Sequence, residues 1–338
     1  RLAADFARQE VLPRLEALEA GEHELSVELL RKAGELGLLA GDIPTAFGGL
    51  GLSKATTTLI TEQMALGGSF AVTFGGHTGI GTLPIVLFGT PEQKQRYLPS
   101  LARGERIAAY ALTEPEAGSD ALSGRTRADL ASDGKSYRLN GQKQWITNSG
   151  FADLFIVYAK VDGERFTAFI VERGFGGIRT SPEFRKMGLK GSSTRTVFFE
   201  DTPVPAENVL GEVGRGHLVA FNTLNIGRWK LAAGCIGSCK ALLSEAATFA
   251  VQRHQFGRAI AGFPLIQQKL ARMAAVTYAL ESMVYRTAGL FDTALAALGD
   301  AAAETGGSVP AVAEYAVEAS INKVFGSESL HFVVDEGV

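Results

Sequence analysis

Two short segments concentrate the residues best suited to chemistry. Residues 109–120 read AYALTEPEAGSD, an apolar strand that breaks into a loop punctuated by Pro115 and Gly118 and dense in small hydroxyl and backbone donors. About twenty-five residues on, 144–148 read QWITN, a strand end that carries a large aromatic beside a hydroxyl. Together they can line a flat, polar-edged ring. Backbone amides and Thr113 would meet its edges, Trp145 would stack on a face, and Thr147 would bond one ring nitrogen. Each half alone has an ordinary alternative. Ser119 and Asp120 serve equally as a local turn cap, and a Trp at a strand end is most often core or interface.

Further along, Arg253-His254-Gln255-Phe256-Gly257-Arg258 sets two arginines around an aromatic. That pattern suits a pyrophosphate through bidentate charge-assisted bonds, although arginine near a helix C-terminus is favourable for dipole reasons alone. Lys186 and Lys190 can hold phosphates or simply form a solvated basic loop. The five histidines are scattered, with no HExxH motif and no Cys/His cluster, which argues against a metal enzyme. Cys235 and Cys239 sit four apart on one helix face, where a disulfide does not fit. They read as two small buried side chains and point weakly to a reducing compartment.

The elements that must position these residues fall into three blocks. A length of 338 residues suits two or three domains. The net charge of -3 leaves no basic footprint for nucleic acid. No apolar run is read as approaching the roughly 18 residues of a membrane span. The chain opens at Arg1 into a charged, helix-period stretch with no secretory signal, and without a Met, which is compatible with removal of an upstream segment. Up to about Arg106 the period is helical, with Leu29, Leu30, Ala33, Leu36 and Leu38 on one face. Thr90, Pro91 and Gln93 form a capping box that starts a helix. Glycines clustered in 34–51, 67–89 and 174–191 read as tight connections and close helix packing.

Residues 107–112, 136–146, 153–161, 165–171 and 195–199 read as strands, rich in aromatic and β-branched side chains. Asn140-Gly141 is expected to be a hairpin turn, with further turns at Asp133-Gly134 and Asp162-Gly163. No helix falls between these strands, so an antiparallel sheet or small barrel is expected. Helical period returns after Gly211. Leu218, Phe221, Leu224, Leu231, Cys235, Ile236, Cys239 and Leu242 mark one stripe, and Ile266, Leu270, Met273, Val276, Leu280, Met283, Thr287 and Leu290 a second. A small-residue linker over 299–308 and a third helix from about Pro310 complete a bundle.

The paired segments, in this order and within a helix–β–helix chain, resemble the acyl-CoA dehydrogenase family over essentially the whole length. The resemblance implies an α+β multidomain fold: an N-terminal α-helical domain (1–106), a middle antiparallel β domain (107–211) and a C-terminal helical bundle (212–338), incomplete at its end. It implies FAD as cofactor, held by Tyr110, Leu112, Thr113, Gly118, Ser119, Trp145, Ile146 and Thr147. Arg253 and Phe256 would reach the FAD of a neighbouring subunit, hence a homodimer or homotetramer. Ser119, Ser192, Asn225 and Arg228 would bind the acyl-CoA substrate. Glu116 stands where the family loop usually has a small residue.

The implied reaction is α,β-dehydrogenation of a fatty acyl-CoA to the trans-2-enoyl-CoA, with electrons passed to an electron-transfer flavoprotein. Its catalytic Glu lies in most of the family in a later stretch ending EGT, expected beyond Val338. A minority places it where this chain has Gly227, and Glu114, Glu328 and Glu336 match neither position. A fragment of a longer enzyme is therefore expected. Segment 279–287 and the linker before 316–328 resemble the very-long-chain branch more than the medium-chain one. The rival functions are an acyl-CoA oxidase or flavin monooxygenase on the same fold, and a base-less assembly or scaffold relative. The expected compartment is the cytoplasm in a bacterium and the mitochondrial matrix in a eukaryote.

Overall fold

A computed structural model describes residues 1–298 and 309–338, so the expected linker over 299–308 lies outside the described residues. The N-terminal third is helical: α1 (Leu2–Phe6), α2 (Leu15–Glu19), α3 (His23–Glu35), α4 (Lys54–Met64), α5 (Ser69–Gly75), α6 (Leu83–Phe88) and α7 (Pro91–Ala102). The capping box of α7 forms as expected: the Gln93 amide N–H donates to Thr90 Oγ1 at 3.2 Å, and the Thr90 N–H donates to Gln93 Oε1 at 3.1 Å. Leu29, Leu30, Ala33 and Leu38 are buried, but Leu36, just past the end of α3, is exposed. Gly34 is required by packing, since a Cβ there would lie 2.2 Å from the Arg103 carbonyl oxygen.

One expectation about this region needs correction. The continuous helical run Ser69–Phe88 is long and apolar enough to cross a membrane by length and composition. It lies 67% buried inside the fold, so its apolar character serves the core.

The middle of the chain forms an eight-stranded sheet: β1 (Ala108–Ala111), β2 (Arg127–Leu130), β3 (Ser136–Thr147), β4 (Leu154–Val161), β5 (Arg165–Glu172), β6 (Ile178–Thr180), β7 (Thr194–Pro205) and β8 (Val209–Leu210). The order is β6-β7-β3-β2-β4-β5-β8, and β1 also pairs with β4. Most neighbours are antiparallel, but β1 and β2 both run parallel to β4, against the purely antiparallel expectation. They lie end to end along one edge of β4, β1 beside 154–157 and β2 beside 160–161. The loop 112–126 therefore leaves the sheet in the gap between them. β4 reads as an almost unbroken apolar run because both faces are covered. Its Leu154, Ile156 and Tyr158 face the helical core, and Phe155, Val157 and Ala159 face the opposite cluster.

Asn140-Gly141 is not a hairpin. β3 runs straight through it and pairs with β7 on both sides, with a register shift between Leu139 and Gly141. The glycine is needed there for a different reason: a Cβ would lie 2.6 Å from Thr126 Oγ1. The hairpin turns are at Asp133-Gly134, between β2 and β3, and at Asp162-Gly163, between β4 and β5, where both Asp162 and Gly163 have positive φ. β2, β6 and β8 were not foreseen; all three are too short, and β2 and β6 too polar, to show a strand pattern.

The C-terminal part holds α8 (Gly216–Gln252), a two-stranded ribbon of β9 (His254–Gln255) and β10 (Arg258–Ala259), α9 (Pro264–Leu298), α10 (Val309–Glu314) and α11 (Ala316–Gly337). The expected third helix is thus two, broken at Tyr315. α9 buries Met273, Leu280 and Thr287 of its expected stripe, joined by Val284 and Phe291. α8 differs more. Its buried set includes Val219, Ile226, Trp229, Ala232 and Ala233 as well as both cysteines, whereas Phe221 and Leu231 are exposed. The cause is that α8 is packed on several sides, so no single stripe describes it. Both cysteines are free and buried.

Candidate functional site

The site is built on β3 where its pairing with β7 slips. Lys143 pairs with Val197 and Ile146 with Arg195, so β3 holds one more residue than β7 across this interval. Such a bulge re-aims side chains. Released from β7, the Gln144 N–H donates to the Thr113 carbonyl at 2.8 Å, which ties β3 to the loop 112–126. Trp145 takes a φ of 63°, a conformation that a bulky residue adopts only when its surroundings enforce it. Its indole is thereby turned out of the sheet, 55% exposed, with its ring centroid 4.1 Å from that of Phe184.

A second link lies beneath the surface. Lys143 Nζ, buried, donates to Glu114 Oε1 at 2.6 Å and to the Leu112 carbonyl at 3.1 Å. The same carboxylate accepts the N–H groups of Arg125 at 2.6 Å and Thr126 at 3.1 Å, closing the loop on itself. Burial pushes the Lys143 ammonium down to about 8, against the opposing pull of Glu114. Burial acts to raise the Glu114 carboxyl, but Lys143 and the two backbone donors together hold it below its ordinary value.

Two cavities adjoin at this point. The first, about 470 Å³, is lined by Tyr110, Leu112, Thr113, Gly118, Ser119, Trp145, Ile146, Thr147 and Arg228, all foreseen from sequence. Ile80, Ala121, Phe221 and Leu224 also line it and were not foreseen as site residues. Phe221 and Leu224 belong to the apolar stripe expected of this helix, and no local motif separates the two roles. Tyr110 packs edge-on to Tyr158 with centroids 5.3 Å apart, and burial raises its hydroxyl pKa far above the usual range. Arg228 Nη1 donates to Asn225 Oδ1 at 2.6 Å, so Asn225 steadies the guanidinium without lining the cavity.

The second cavity is an apolar channel of about 430 Å³ between residues 61–80 and α8. Ile80 and Thr147 line both spaces, so the channel begins where the first cavity ends. Its wall is rich in small residues, among them Gly75, Gly79, Gly227 and Gly234, and Leu330 of α11 contributes to it. His77 anchors the nearby helical turn: its Nε2–H donates to the Leu101 carbonyl at 3.0 Å, and its Nδ1 accepts the Ala108 N–H at 3.1 Å.

Besides Asn225, three of the expected residues, Arg253, Phe256 and Ser192, line neither cavity. Arg253 ends α8, and Phe256 projects from the β9–β10 turn at a φ of 52°, 92% exposed. Ser192 is buried; its carbonyl accepts a bond from Lys186 Nζ, and its own hydroxyl has no partner among the described residues. Lys186 also donates to Thr194 Oγ1 at 2.9 Å, and the Lys190 N–H donates to Glu19 Oε2 at 3.1 Å. No carboxylate lines either cavity among the described residues, and no group of three potential metal ligands occurs among them.

Comparison with known proteins agrees with this architecture. The acyl-CoA dehydrogenase N-terminal domain model matches residues 1–105, the middle-domain model 109–202 and the C-terminal domain model 214–338. A probable acyl-CoA dehydrogenase of Bacillus subtilis is 56% identical over 99% of this chain and 56% of its own length. The human mitochondrial very long-chain specific acyl-CoA dehydrogenase is 43% identical over 89% of this chain and 45% of its own. An acyl-CoA dehydrogenase from Bacillus anthracis, solved in complex with FAD, superposes with a TM-score of 0.98 at 58% identity, over 99% of this chain and 57% of that one. The chain thus spans about half the length of the curated relatives it matches.

Proposed function

Because the chain belongs to the acyl-CoA dehydrogenase family, we propose that it binds FAD and serves the α,β-dehydrogenation of a fatty acyl-CoA to the trans-2-enoyl-CoA. Electrons would pass to an electron-transfer flavoprotein. One observation carries the reading: a polar-edged cavity bordered by an outward-turned Trp145 shares Ile80 and Thr147 with an apolar channel. A flat redox ring and a long apolar chain would meet at that junction. The relative from Bacillus anthracis, solved with FAD, supports the choice of cofactor.

The residues present fit such a ring. The cavity of about 470 Å³ falls within the roughly 300–1,000 Å³ of small-molecule sites. Trp145 offers an exposed π-face, and Thr113, Ser119 and Thr147 supply polar groups to the lining of the same cavity. When bound, the flavin supplies a hydride acceptor. The chain's own residues then orient and enclose. Thr147 stands at the junction, Arg228 offers a cation to the CoA portion, and the channel wall keeps water from the acyl chain.

The α-proton needs a carboxylate, and none of the residues lining the two cavities carries one. Glu114 is engaged by Lys143 and by two backbone N–H groups, which disqualifies it as a free base. We place the base outside the residues that line these cavities, in keeping with the longer relatives. We also assign Arg253 and Phe256 to the flavin of a second copy in a homodimer or homotetramer, supported by their outward position on the β9–β10 turn.

The test is an anaerobic titration of the FAD-loaded full-length protein with palmitoyl-CoA. Bleaching of the flavin band is expected. An unchanged band with palmitoyl-CoA and with shorter acyl-CoAs would overturn the proposal.

A further inference from the structure

Glycine in a helix interior lowers stability relative to alanine, so each one there calls for a reason. In α8, Gly237 has one in packing: a Cβ would lie 2.0 Å from the Glu62 carbonyl oxygen. Gly234, one turn earlier, does not, because a Cβ there would meet nothing within 4 Å. Yet Gly234 lines the apolar channel, together with Leu231, Cys235 and Ser238 of the same helix. Stability is forgone at a position where packing asks for nothing, and the volume left free belongs to the channel.

Gly227 marks the near end of this stripe. It lines the channel, and its Cβ would sit 3.3 Å from Cγ2 of Ile80, a residue that borders both cavities. Seven residues separate Gly227 from Gly234, which is about 10 Å along the helix axis at 1.5 Å per residue. A chain entering from the junction passes Gly234 only if it is long.

We propose that Gly234 sets the length of acyl chain the channel accepts, the open wall at this position admitting long, unbranched acyl thioesters. The inference rests on the functional reading above and deepens it. A side chain grown from Gly234 would fill the distal channel and leave the junction untouched. Each methylene returned to water costs about fourfold in binding.

The experiment measures dissociation constants by calorimetry for butyryl-CoA, octanoyl-CoA and palmitoyl-CoA on the FAD-loaded full-length protein. Gly234→Leu is expected to weaken palmitoyl-CoA by about tenfold or more while butyryl-CoA stays within about twofold, the displaced chain losing several methylene contacts. Gly234→Ala is expected to show the same ordering on a smaller scale, about threefold for palmitoyl-CoA, with a higher Tm because alanine suits the helix. It therefore reads the effect even if the leucine variant folds poorly. Equal losses for all three thioesters, or none in either variant, would overturn the role of Gly234. If the wild type binds none of the three, the functional reading itself fails.

Discussion

Lys143 Nζ and Glu114 Oε1 lie 2.6 Å apart, both side chains buried, and this pair joins the two segments that line the first cavity. Glu114 belongs to the loop that carries Thr113, Gly118 and Ser119. Lys143 immediately precedes the bulge that turns Trp145 outward. The loop and the aromatic therefore hold their relative positions through one ion pair and the Gln144-to-Thr113 backbone bond.

Breaking one partner of a buried pair is costlier than removing both. Lys143→Met leaves the Glu114 carboxylate buried without its cation, and stability by denaturant unfolding should fall by about 3–5 kcal/mol. Adding Glu114→Gln to that variant should recover part of the loss, because an amide oxygen can still accept the Arg125 and Thr126 N–H groups. A double variant as unstable as the sum of the two singles would show that the residues do not act as a pair.

Trp145→Ala should weaken FAD retention, by on the order of 1–3 kcal/mol for a lost stacked aromatic and its desolvation. Dilution followed by absorbance of the protein-bound fraction reads this directly. A variant that keeps its flavin as well as the wild type would remove Trp145 from the cofactor.

Arg228→Ala should raise the acyl-CoA KM more than it lowers kcat, since the assigned role is binding away from the reacting carbons. One charge-assisted bond is worth roughly 1.5–3 kcal/mol. Steady-state kinetics of the full-length protein with two chain lengths should show the same KM rise for both. An unchanged KM would take Arg228 out of the CoA site.

His77 predicts an acid-side loss of stability. Burial lowers its pKa from 6.5 to about 4, against the opposing hydrogen bond to the Leu101 carbonyl. Between those values the unfolded chain binds more protons than the folded one, so stability falls as pH drops from 6.5 toward 4. The shift amounts to about 3 kcal/mol in total, at 1.36 kcal/mol per unit. His77→Gln can donate to Leu101 and accept from Ala108 without titrating, so it should flatten that part of the curve. Parallel curves for the two proteins between pH 6.5 and 4 would contradict the assignment.

The sequence made the cavity legible because its residues come in two contiguous runs whose types are unusual together. Thr113, Ser119, Trp145 and Thr147 could be named without coordinates, and all four line one cavity. What joins the runs was not legible. The bulge is a matter of register between β3 and β7, and a lone Lys143 in an alternating strand gives no hint that it is buried. Asn140-Gly141 misled for a related reason: glycine's use there is close approach to Thr126, which only tertiary structure reveals. The channel was equally hidden, because Gly234 and Leu231 are spaced as ordinary helix residues and acquire their role from what faces them. Ser192 was placed near the CoA by motif, and the structure seats it outside both cavities.

The most direct test of the central claim is a crystal structure of the full-length protein with FAD bound. The account predicts the isoalloxazine ring in the cavity of about 470 Å³, one face against Trp145 and an edge within hydrogen-bond distance of Thr147, with the acyl channel opening beside it at Ile80. Bound FAD whose ring lies elsewhere, with Trp145 still packed only on Phe184, would contradict it.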